Sequence, residues 1–326
     1  MHVEEARAGG DAAGPDVAIG VAAAVRTSVT GVVRGKDDVV DVALVALLSG
    51  GHLLVEDLPG TGKTLLAKSL AVALGGTFGR VQCTPDLLPS DITGTSVFDP
   101  ATGSWTFRPG PLFAHVALVD EINRASPRTQ SALLEPMEEH QVTVDGTTHP
   151  LPEPFFCIAT QNPHGQVGTF PLPESQLDRF ALVTTMGLPG RDAEREILVG
   201  AGGLDALDRT TAATDPTAVR AAQAAVRRVH VAPPLVEYVL DLVDATRTDP
   251  ALATGASPRA ALGLLHAAQA LAVVRGRGYV TPDEVQALVV PVLAHRVGGG
   301  HTASVAAGAA PALRAIVGRV PVPRVG

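Results

Sequence analysis

Residues 55–64, VEDLPGTGKT, place a lysine and a threonine directly after a glycine-rich turn. The segment departs once from the phosphate-binding pattern G-x-x-x-x-G-K-[ST], because Asp57 stands where the first glycine is usual. Backbone N–H groups and a helix N-terminus hold the phosphates in such loops, so that first side chain is not required. We therefore predict a nucleotide site and expect the Asp57 carboxylate to point away from the phosphates. The predicted contact residues are Pro59, Gly60, Thr61, Gly62, Lys63, Thr64 and Leu65.

Two acidic residues follow the next short apolar run. The segment HVALVDEINRA puts Asp120 and Glu121 where a strand is expected to end. An aspartate there can hold Mg²⁺ through water, opposite the hydroxyl of Thr64. A following glutamate can orient and deprotonate an attacking water. A solvated acidic turn is the alternative, but the pairing with the glycine-rich loop favours the site.

A third apolar run, FFCIATQNP, ends in a polar cluster that contains Asn162. Neighbouring strands of a parallel sheet end at the same edge, where ligands bind. Asn162 is therefore expected to face the terminal phosphate, between the two other strand ends. A plain turn is the alternative, because Asn-Pro is a strong turn signal.

Two arginines could complete the site. Arg259 follows Ser257 and Pro258, which begin a helix whose first turn attracts phosphate. Arg179, in PESQLDRF, could reach the terminal phosphate of a neighbouring copy if the site lies between protomers. Such an arginine finger is worth about 10³–10⁵ in rate. The alternative for each is a surface salt bridge, for example between Arg179 and Asp178.

The sequence restricts which base the bound nucleotide can carry. No [NT]-K-x-D segment occurs, and the chain has only three lysines with which to build one. Guanine selection by that route is excluded, so we predict ATP. The stretch VVRGKDD, residues 32–38, precedes a helical pattern and is expected to wall the base pocket, with Gly35 as its contact residue.

Apolar strands alternate with helical patterns over the first part of the chain, which predicts a doubly wound α/β domain with a parallel sheet. Period-two stretches at 94–110 and 141–151 interrupt the alternation and are predicted to be β-hairpin inserts. After residue 189 the patterns are helical, with four or five helices expected. We predict a disordered tail over 1–16, an α/β core over 17–189 and a helical domain over 190–326.

Composition restricts the class of protein. The net charge of −8 disfavours nucleic-acid binding, and the 326 residues contain no apolar run long enough to span a membrane. The acidic N-terminus lacks the features of a signal peptide. The two cysteines, Cys83 and Cys157, are expected to be buried reduced thiols. We predict a cytoplasmic protein without membrane insertion.

The ordered segments resemble a known family. VEDLPGTGKT, VALVDEINRASPRTQSALLEPMEE, IATQNP, TFPLPESQLDRF and GASPRAAL together are similar to the MoxR-type AAA+ ATPases. The similarity runs from near the start of the chain to near its end, and DEINRASPRTQSALLEPMEE and PLPESQLDRF are its most specific parts. It implies an AAA+ P-loop NTPase core with two β-hairpin inserts, followed by a small all-helical lid domain.

The resemblance also implies a role for each candidate: Walker A for Lys63 and Thr64, Walker B for Asp120 and Glu121, sensor 1 for Asn162, the trans-acting finger for Arg179 and sensor 2 for Arg259. It implies ATP and Mg²⁺ bound between core and lid at a protomer boundary, in a homo-oligomeric ring that is usually hexameric. It implies a chaperone that remodels client protein complexes, often with a von Willebrand factor A domain partner. One departure is HGQVGTF after QNP, where the family commonly has a hydrophobic residue and acidic positions.

Three other functions fit part of the pattern. They are an ATP-dependent regulatory switch, the ATPase subunit of a metal-insertion complex such as magnesium chelatase, and a nucleic-acid motor. The acidic charge weighs against the motor. The first predicted hairpin carries Phe98, Trp105 and Phe107, which could grip a client or pack the hairpin against the core; cross-strand aromatic pairing favours packing.

Overall fold

The computed structural model describes residues 14–58, 60–162, 168–298 and 304–323. The strands are β1 His52–Glu56, β2 Phe78–Gln82, β3 Gly94–Asp99, β4 Ser104–Pro109, β5 Val116–Asp120, β6 Gln141–Val144, β7 Thr147–Pro150, β8 Phe156–Gln161 and β9 Phe180–Thr184. The helices are α1 Pro15–Val32, α2 Asp37–Leu48, α3 Lys63–Ala73, α4 Pro89–Thr93, α5 Pro127–Ser131, α6 Leu134–Glu139, α7 Glu174–Leu177, α8 Arg191–Leu198, α9 Leu204–Asp208, α10 Pro216–Val226, α11 Pro233–Thr248, α12 Pro258–Val274, α13 Pro282–Val297 and α14 Val305–Arg319.

Five strands form one parallel sheet in the order β2-β5-β8-β1-β9. Side chains of a strand alternate between its two faces. Leu53 and Val55 of β1 therefore enter a large core shared with the helices, while Leu54 enters a smaller core on the opposite face. The predicted doubly wound α/β domain is confirmed.

Two antiparallel hairpins, β3–β4 and β6–β7, stand apart from the sheet. Asp145 and Gly146, which join β6 to β7, have φ values of 50° and 78°. Two consecutive positive φ values are typical of the tight turns that match the twist of a hairpin. Both predicted inserts are confirmed.

The segment after β9 contains seven helices in its described residues, α8 to α14, rather than the four or five expected. Three of these helices begin at a residue whose side chain caps the helix. Asp215 and Ser257 accept hydrogen bonds from the backbone N–H groups of Ala218 and Ala260, and Thr281 begins α13 with a capping box. The short helices α8 and α9 begin without a capping side chain.

The helical part packs tightly on the sheet. Helices α1 and α2 contact α10 and α12, and α13 lies along β9. The buried ring of His295 bonds the carbonyl of Phe180 through Nε2 at 2.9 Å, and burial lowers the pKa of His295 well below its usual value. The boundary between 189 and 190 falls between β9 and α8 but stays a prediction, since the larger core runs across it.

Three smaller expectations can be placed. The predicted tail, 1–16, lies outside the described residues except for its last three, and α1 begins at Pro15. Cys83 and Cys157 are free, buried thiols, and burial raises the pKa of each to about 12, which disfavours the nucleophilic thiolate. Among the described residues, none of the helices is sufficiently long and apolar to cross a bilayer.

Candidate nucleotide site

The glycine-rich loop joins the buried strand β1 to helix α3. Gly60 and Gly62 have φ values of 83° and 101°, a region that side chains other than hydrogen strongly disfavour. Gly62 is the residue before the first turn of α3, so the helix N-terminus faces the loop. Phosphate bound there would meet both free N–H groups and the positive end of the helix dipole. Pro59 lies outside the described residues.

Asp57 replaces glycine at a position that does not need one. Asp57 is not one of the described residues that have a positive φ. Its carboxylate accepts hydrogen bonds from the backbone N–H of Leu58 at 2.7 Å and from that of Gly187, beyond β9. The carboxylate is thus engaged by the backbone, which limits its repulsion of a bound phosphate.

Lys63, the first residue of α3, folds its side chain back over the loop. Its Nζ donates to the carbonyls of Leu58 at 2.6 Å and Asp57 at 3.2 Å. Burial lowers the pKa of Lys63, while the charges of Asp57, Asp120 and Glu121 oppose that shift. The ammonium therefore sits between the loop and the acidic strand end, where a phosphate would replace its carbonyl partners.

Asp120 is the last residue of β5 and is held by two neighbouring strands. Its Oδ1 accepts a hydrogen bond from the Thr160 hydroxyl at 2.6 Å, and its Oδ2 pairs with the Arg80 guanidinium at 2.8 Å. Thr160 lies on β8 and is fully buried. These contacts fix the carboxylate at the edge of the sheet where the loop lies.

Glu121 has a left-handed backbone, with φ of 56°. Non-glycine residues in this region are uncommon and concentrate at functional sites. The N–H of Glu121 donates to the hydroxyl of Thr160 at 2.9 Å, and its carboxylate pairs with Arg124 at 2.9 Å. The turn therefore sends the carboxylates of Asp120 and Glu121 in different directions from adjacent positions.

Asn162 follows β8 and is tied to the acidic turn. The Nδ2 of Asn123 donates to the Asn162 carbonyl at 3.2 Å. The preceding residue, Gln161, donates from Nε2 to the buried carboxylate of Glu56 at 2.5 Å, and Ser304 donates to the other oxygen of Glu56 at 2.7 Å. The ends of β1 and β8 are thereby linked to the start of α14.

One cavity of about 600 Å³ collects most of the predicted residues. Its lining comprises Asp57, Gly60, Gly62, Lys63, Thr64, Leu65, Lys68, Arg80, Gln82, Asp120, Glu121, Thr160, Gln161, Asn162, Gly203 and Leu204. Thr61 is buried beside it, with its hydroxyl bonded to the carbonyl of Leu58 at 3.3 Å. Gly35 is not part of this lining and packs instead against Ala193 of α8.

The predicted arginines lie elsewhere. Arg179 immediately precedes β9, at the amino end of a strand whose carboxyl end adjoins the loop. Five residues of strand separate these ends by about 16 Å. Arg179 and Arg259 both pair with Glu138, at 2.9 and 3.3 Å, so they form one cluster. Arg259 therefore does not contact the nucleotide cavity of its own chain, because the packing of α12 carries it to the opposite end of the sheet.

The donors of the cavity suit magnesium. Thr64 and Asp120 offer a hydroxyl and a carboxylate, and Mg²⁺ is commonly held by one or two carboxylates together with phosphate oxygens and water. In the described part of the chain, no group of three or more His, Cys, Asp or Glu forms an all-protein metal site. The hydroxyl of Thr64 and the carboxylate of Asp120 would leave the other coordination positions to phosphate oxygens and water.

Several lining residues were not identified from the sequence. Arg80 and Gln82 on β2, Thr160 on β8 and Leu204 on α9 have ordinary sequence surroundings. Their positions depend on which strands are neighbours and on how the helical part packs. The alternation of Arg80 and Gln82 with the buried Val81 was the one available signal that both point to the same face.

Comparison with known proteins agrees with this geometry. The ATPase family associated with various cellular activities (AAA) matches residues 52–182, and the AAA lid domain matches residues 244–312. Chaperone MoxR1 of Mycobacterium tuberculosis is 43% identical over 298 residues, covering 87% of this chain and 78% of the relative. Protein MoxR of Paracoccus denitrificans is 32% identical over 310 residues, covering 83% and 86%.

A solved structure extends the match to the whole fold. The crystal structure of a candidate ATPase from Cytophaga hutchinsonii aligns with a TM-score of 0.84 and 33% identity, covering 94% of this chain and 97% of that one. The sheet, the two hairpins and the helical lid are thus those of an AAA ATPase. The chain belongs to the MoxR family of AAA+ ATPases and is an ATP-hydrolysing enzyme.

Proposed function

We propose that this protein is a MoxR-type chaperone that uses ATP hydrolysis, in a hexameric ring of identical copies in the cytoplasm, to remodel or mature partner protein complexes. The name of the mycobacterial relative, a chaperone, supports the activity. A partner with a von Willebrand factor A domain is part of the proposal and rests on the family resemblance alone. The observation that carries the proposal is the convergence of loop, acidic strand end and Asn162 on one cavity.

Within one protomer, each residue of the site has a separate proposed role. The loop N–H groups and Lys63 bind the phosphates. Thr64 and Asp120 would hold Mg²⁺, which would neutralise charge on the phosphate oxygens. Glu121 accepts a proton from the attacking water, and Asn162 positions that water against the terminal phosphate. The burial of Thr160 beneath both acidic residues supports this division, because it limits their movement.

The arginine cluster supports a site shared between copies. Arg179 and Arg259 are held together by Glu138 about one strand length from the cavity of their own chain. A head-to-tail ring interface juxtaposes different surfaces of adjacent copies, so one copy's cluster can meet its neighbour's cavity. We propose that both arginines, Arg259 as sensor 2 and Arg179 as the finger, act on the neighbour's terminal phosphate.

The first hairpin is the proposed client contact. Trp105 is 70% exposed and Phe98 46% exposed, and their rings pack against each other across the hairpin at 5.4 Å. Phe107 instead packs inward, stacked on His149 of the second hairpin at 3.9 Å. The aromatic set therefore divides: one member packs between the hairpins, and two remain exposed to a partner.

The test is the substitution Glu121→Gln, with ATP binding and ATP turnover measured separately. Because glutamine cannot accept the proton, we expect turnover to fall by at least about 100-fold while nucleotide affinity stays within a few fold. Glu194→Gln, at an exposed position of α8, is the matched control and should leave both values unchanged. Turnover retained in Glu121→Gln would remove this residue as the base.

A further inference from the structure

Arg80 enters the nucleotide cavity from the edge strand β2. The register pairs Arg80 with Leu118 and Gln82 with Asp120 across β2 and β5. The guanidinium extends along the strand and uses one nitrogen, Nη2, for both the Gln82 Oε1 at 2.7 Å and the Asp120 Oδ2 at 2.8 Å. Arg80 is thus anchored at the residue expected to hold magnesium.

Each oxygen of Asp120 accepts a hydrogen bond. One oxygen, Oδ1, accepts from the buried hydroxyl of Thr160. The other, Oδ2, pairs with Arg80, and both residues line the cavity. The Asp120 side chain is 13% exposed, whereas that of Arg80 is 45% exposed. The aspartate is therefore fixed, and the arginine is the partner that can leave.

The water that links a divalent cation to Asp120 and the guanidinium of Arg80 compete for the same carboxylate oxygen. Arginine cannot lose its charge in a protein, so it cannot remain beside the cation as a neutral group. A cation that Asp120 holds through water and a guanidinium paired with the same carboxylate repel each other even in a partly solvated site. Arg80 can withdraw by rotating its long side chain toward solvent, at little cost for a half-exposed ion pair.

We propose that Arg80 is a positioning residue that holds Asp120 while the site is free of metal and releases the Oδ2 oxygen when the metal–nucleotide complex binds. The proposal rests on the proposed role of Asp120 in holding Mg²⁺. Arg80 thereby raises the metal concentration that the nucleotide-bound site requires. It also keeps the carboxylate ordered between turnovers.

The effect is measurable without hydrolysis. Mn²⁺ binding to the ADP-saturated protein is followed by electron paramagnetic resonance, and binding of a fluorescent ADP is followed in EDTA. In Arg80→Gln the competing charge is gone, so we expect half-saturation at about two- to tenfold lower Mn²⁺. Metal-free ADP affinity should stay within about twofold, because Arg80 acts on the carboxylate rather than on the phosphates. Gln82→Ala removes the second anchor of Arg80. It should also lower the Mn²⁺ concentration at half-saturation, but by less than Arg80→Gln.

Two controls separate this proposal from its alternatives. Arg195→Gln removes an exposed arginine paired with Asp192 at 2.6 Å on α8, and it should leave Mn²⁺ binding unchanged. Asp120→Asn should weaken Mn²⁺ binding strongly. If it does not, the proposed metal role of Asp120 fails, and the proposal for Arg80 fails with it.

Suppose that Asp120→Asn weakens Mn²⁺ binding as expected. If Arg80→Gln and Gln82→Ala then both need as much Mn²⁺ as the wild type or more, the proposal for Arg80 is overturned while the metal role of Asp120 stands. A loss of metal-free ADP binding in Arg80→Gln would also overturn it, because Arg80 would then be a phosphate ligand. Thermal unfolding of each variant shows that the fold is retained, and Gln82→Ala keeps the proposal testable should Arg80→Gln fail to fold.

Discussion

At the scale of single residues, the hydroxyl of Thr160 connects the two acidic groups of the site. It donates to Asp120 Oδ1 at 2.6 Å and accepts from the N–H of Glu121 at 2.9 Å. One buried side chain therefore sets the position of the proposed metal ligand and the backbone of the proposed base. Glu121 has a left-handed φ, a costly conformation that surrounding contacts must hold, and the bond to Thr160 is one such contact.

Thr160→Val tests this arrangement. Valine has a similar shape but cannot bond either partner, so the N–H of Glu121 is left unpaired. We expect the free energy of unfolding to fall by about 1–3 kcal/mol. ATP turnover should fall by about 10- to 100-fold, since small misplacements of catalytic groups are costly. Metal-free nucleotide binding should change little.

The matched control is Thr184→Val on β9, a partly buried threonine outside the cavity lining. Turnover and nucleotide binding in this control should match the wild type. A Thr160→Val protein with wild-type turnover would show that the hydroxyl has no positioning role.

At the scale of elements, the start of α13 depends on one buried carboxylate. Glu284 is fully buried and accepts from the N–H of Thr281 at 2.8 Å and from its hydroxyl at 2.5 Å. Arg275 at 2.7 Å and Arg277 pair with its other oxygen. Burial acts to raise the pKa of Glu284, but the hydrogen bonds from Thr281 and Arg275 and the charge of Arg277 outweigh it, so the pKa is lowered.

Glu284→Gln should therefore destabilise the helical part. We expect a loss of about 2–4 kcal/mol in the free energy of unfolding at pH 7, because the charged bonds and the ion pairs are lost. A lowered folded-state pKa stabilises the protein above the ordinary glutamate value of 4.5. The difference from wild type should therefore be full at pH 7 and shrink as the pH falls below that value.

Urea unfolding at several pH values measures this difference. Asp283→Asn changes the charge of the adjacent, exposed residue and should cost no more than about 0.5 kcal/mol at any pH. A Glu284→Gln deficit that persists undiminished at low pH would mean that the ionised carboxylate is not its source.

The elements around the cavity were predictable because local signals agree there. Glycines at 60 and 62, an apolar run before them and a helical run after them indicate the loop and its neighbours together. The turn at Asp145-Gly146 likewise indicates its hairpin. Arg80 and Thr160 were not predictable, because their roles arise from strand order: β2 and β8 flank β5, and nothing local to either strand reveals this.

At the scale of the whole molecule, the arginine cluster and the nucleotide cavity lie at opposite ends of the same sheet. Arg179 lies at the amino end of β9, while the loop follows the carboxyl end of β1, its parallel neighbour. The position of Arg259 could not be predicted, because it depends on how α12 packs on the remainder of the fold. Glu138, which pairs with both arginines, was not a candidate from the sequence for the same reason.

Because of this separation, we propose that a neighbouring copy completes each nucleotide site. Lys63→Ala should not bind ATP, and Arg179→Ala should bind ATP normally but hydrolyse it slowly. Each junction between two copies pairs the cavity of one copy with Arg179 of the next. In a mixed ring, a junction is therefore complete where the cavity comes from an Arg179→Ala chain and the arginine comes from a Lys63→Ala chain.

The most direct measurement is the ATPase activity of mixed rings, co-expressed with two different tags and purified through both. At equal amounts of Lys63→Ala and Arg179→Ala, about one quarter of the junctions are complete, so activity should recover well above that of either variant alone. Rings in which every chain carries both substitutions, expressed with the same two tags, set the inactive baseline. Mixed rings that stay as inactive as the single variants at every ratio would contradict a shared site.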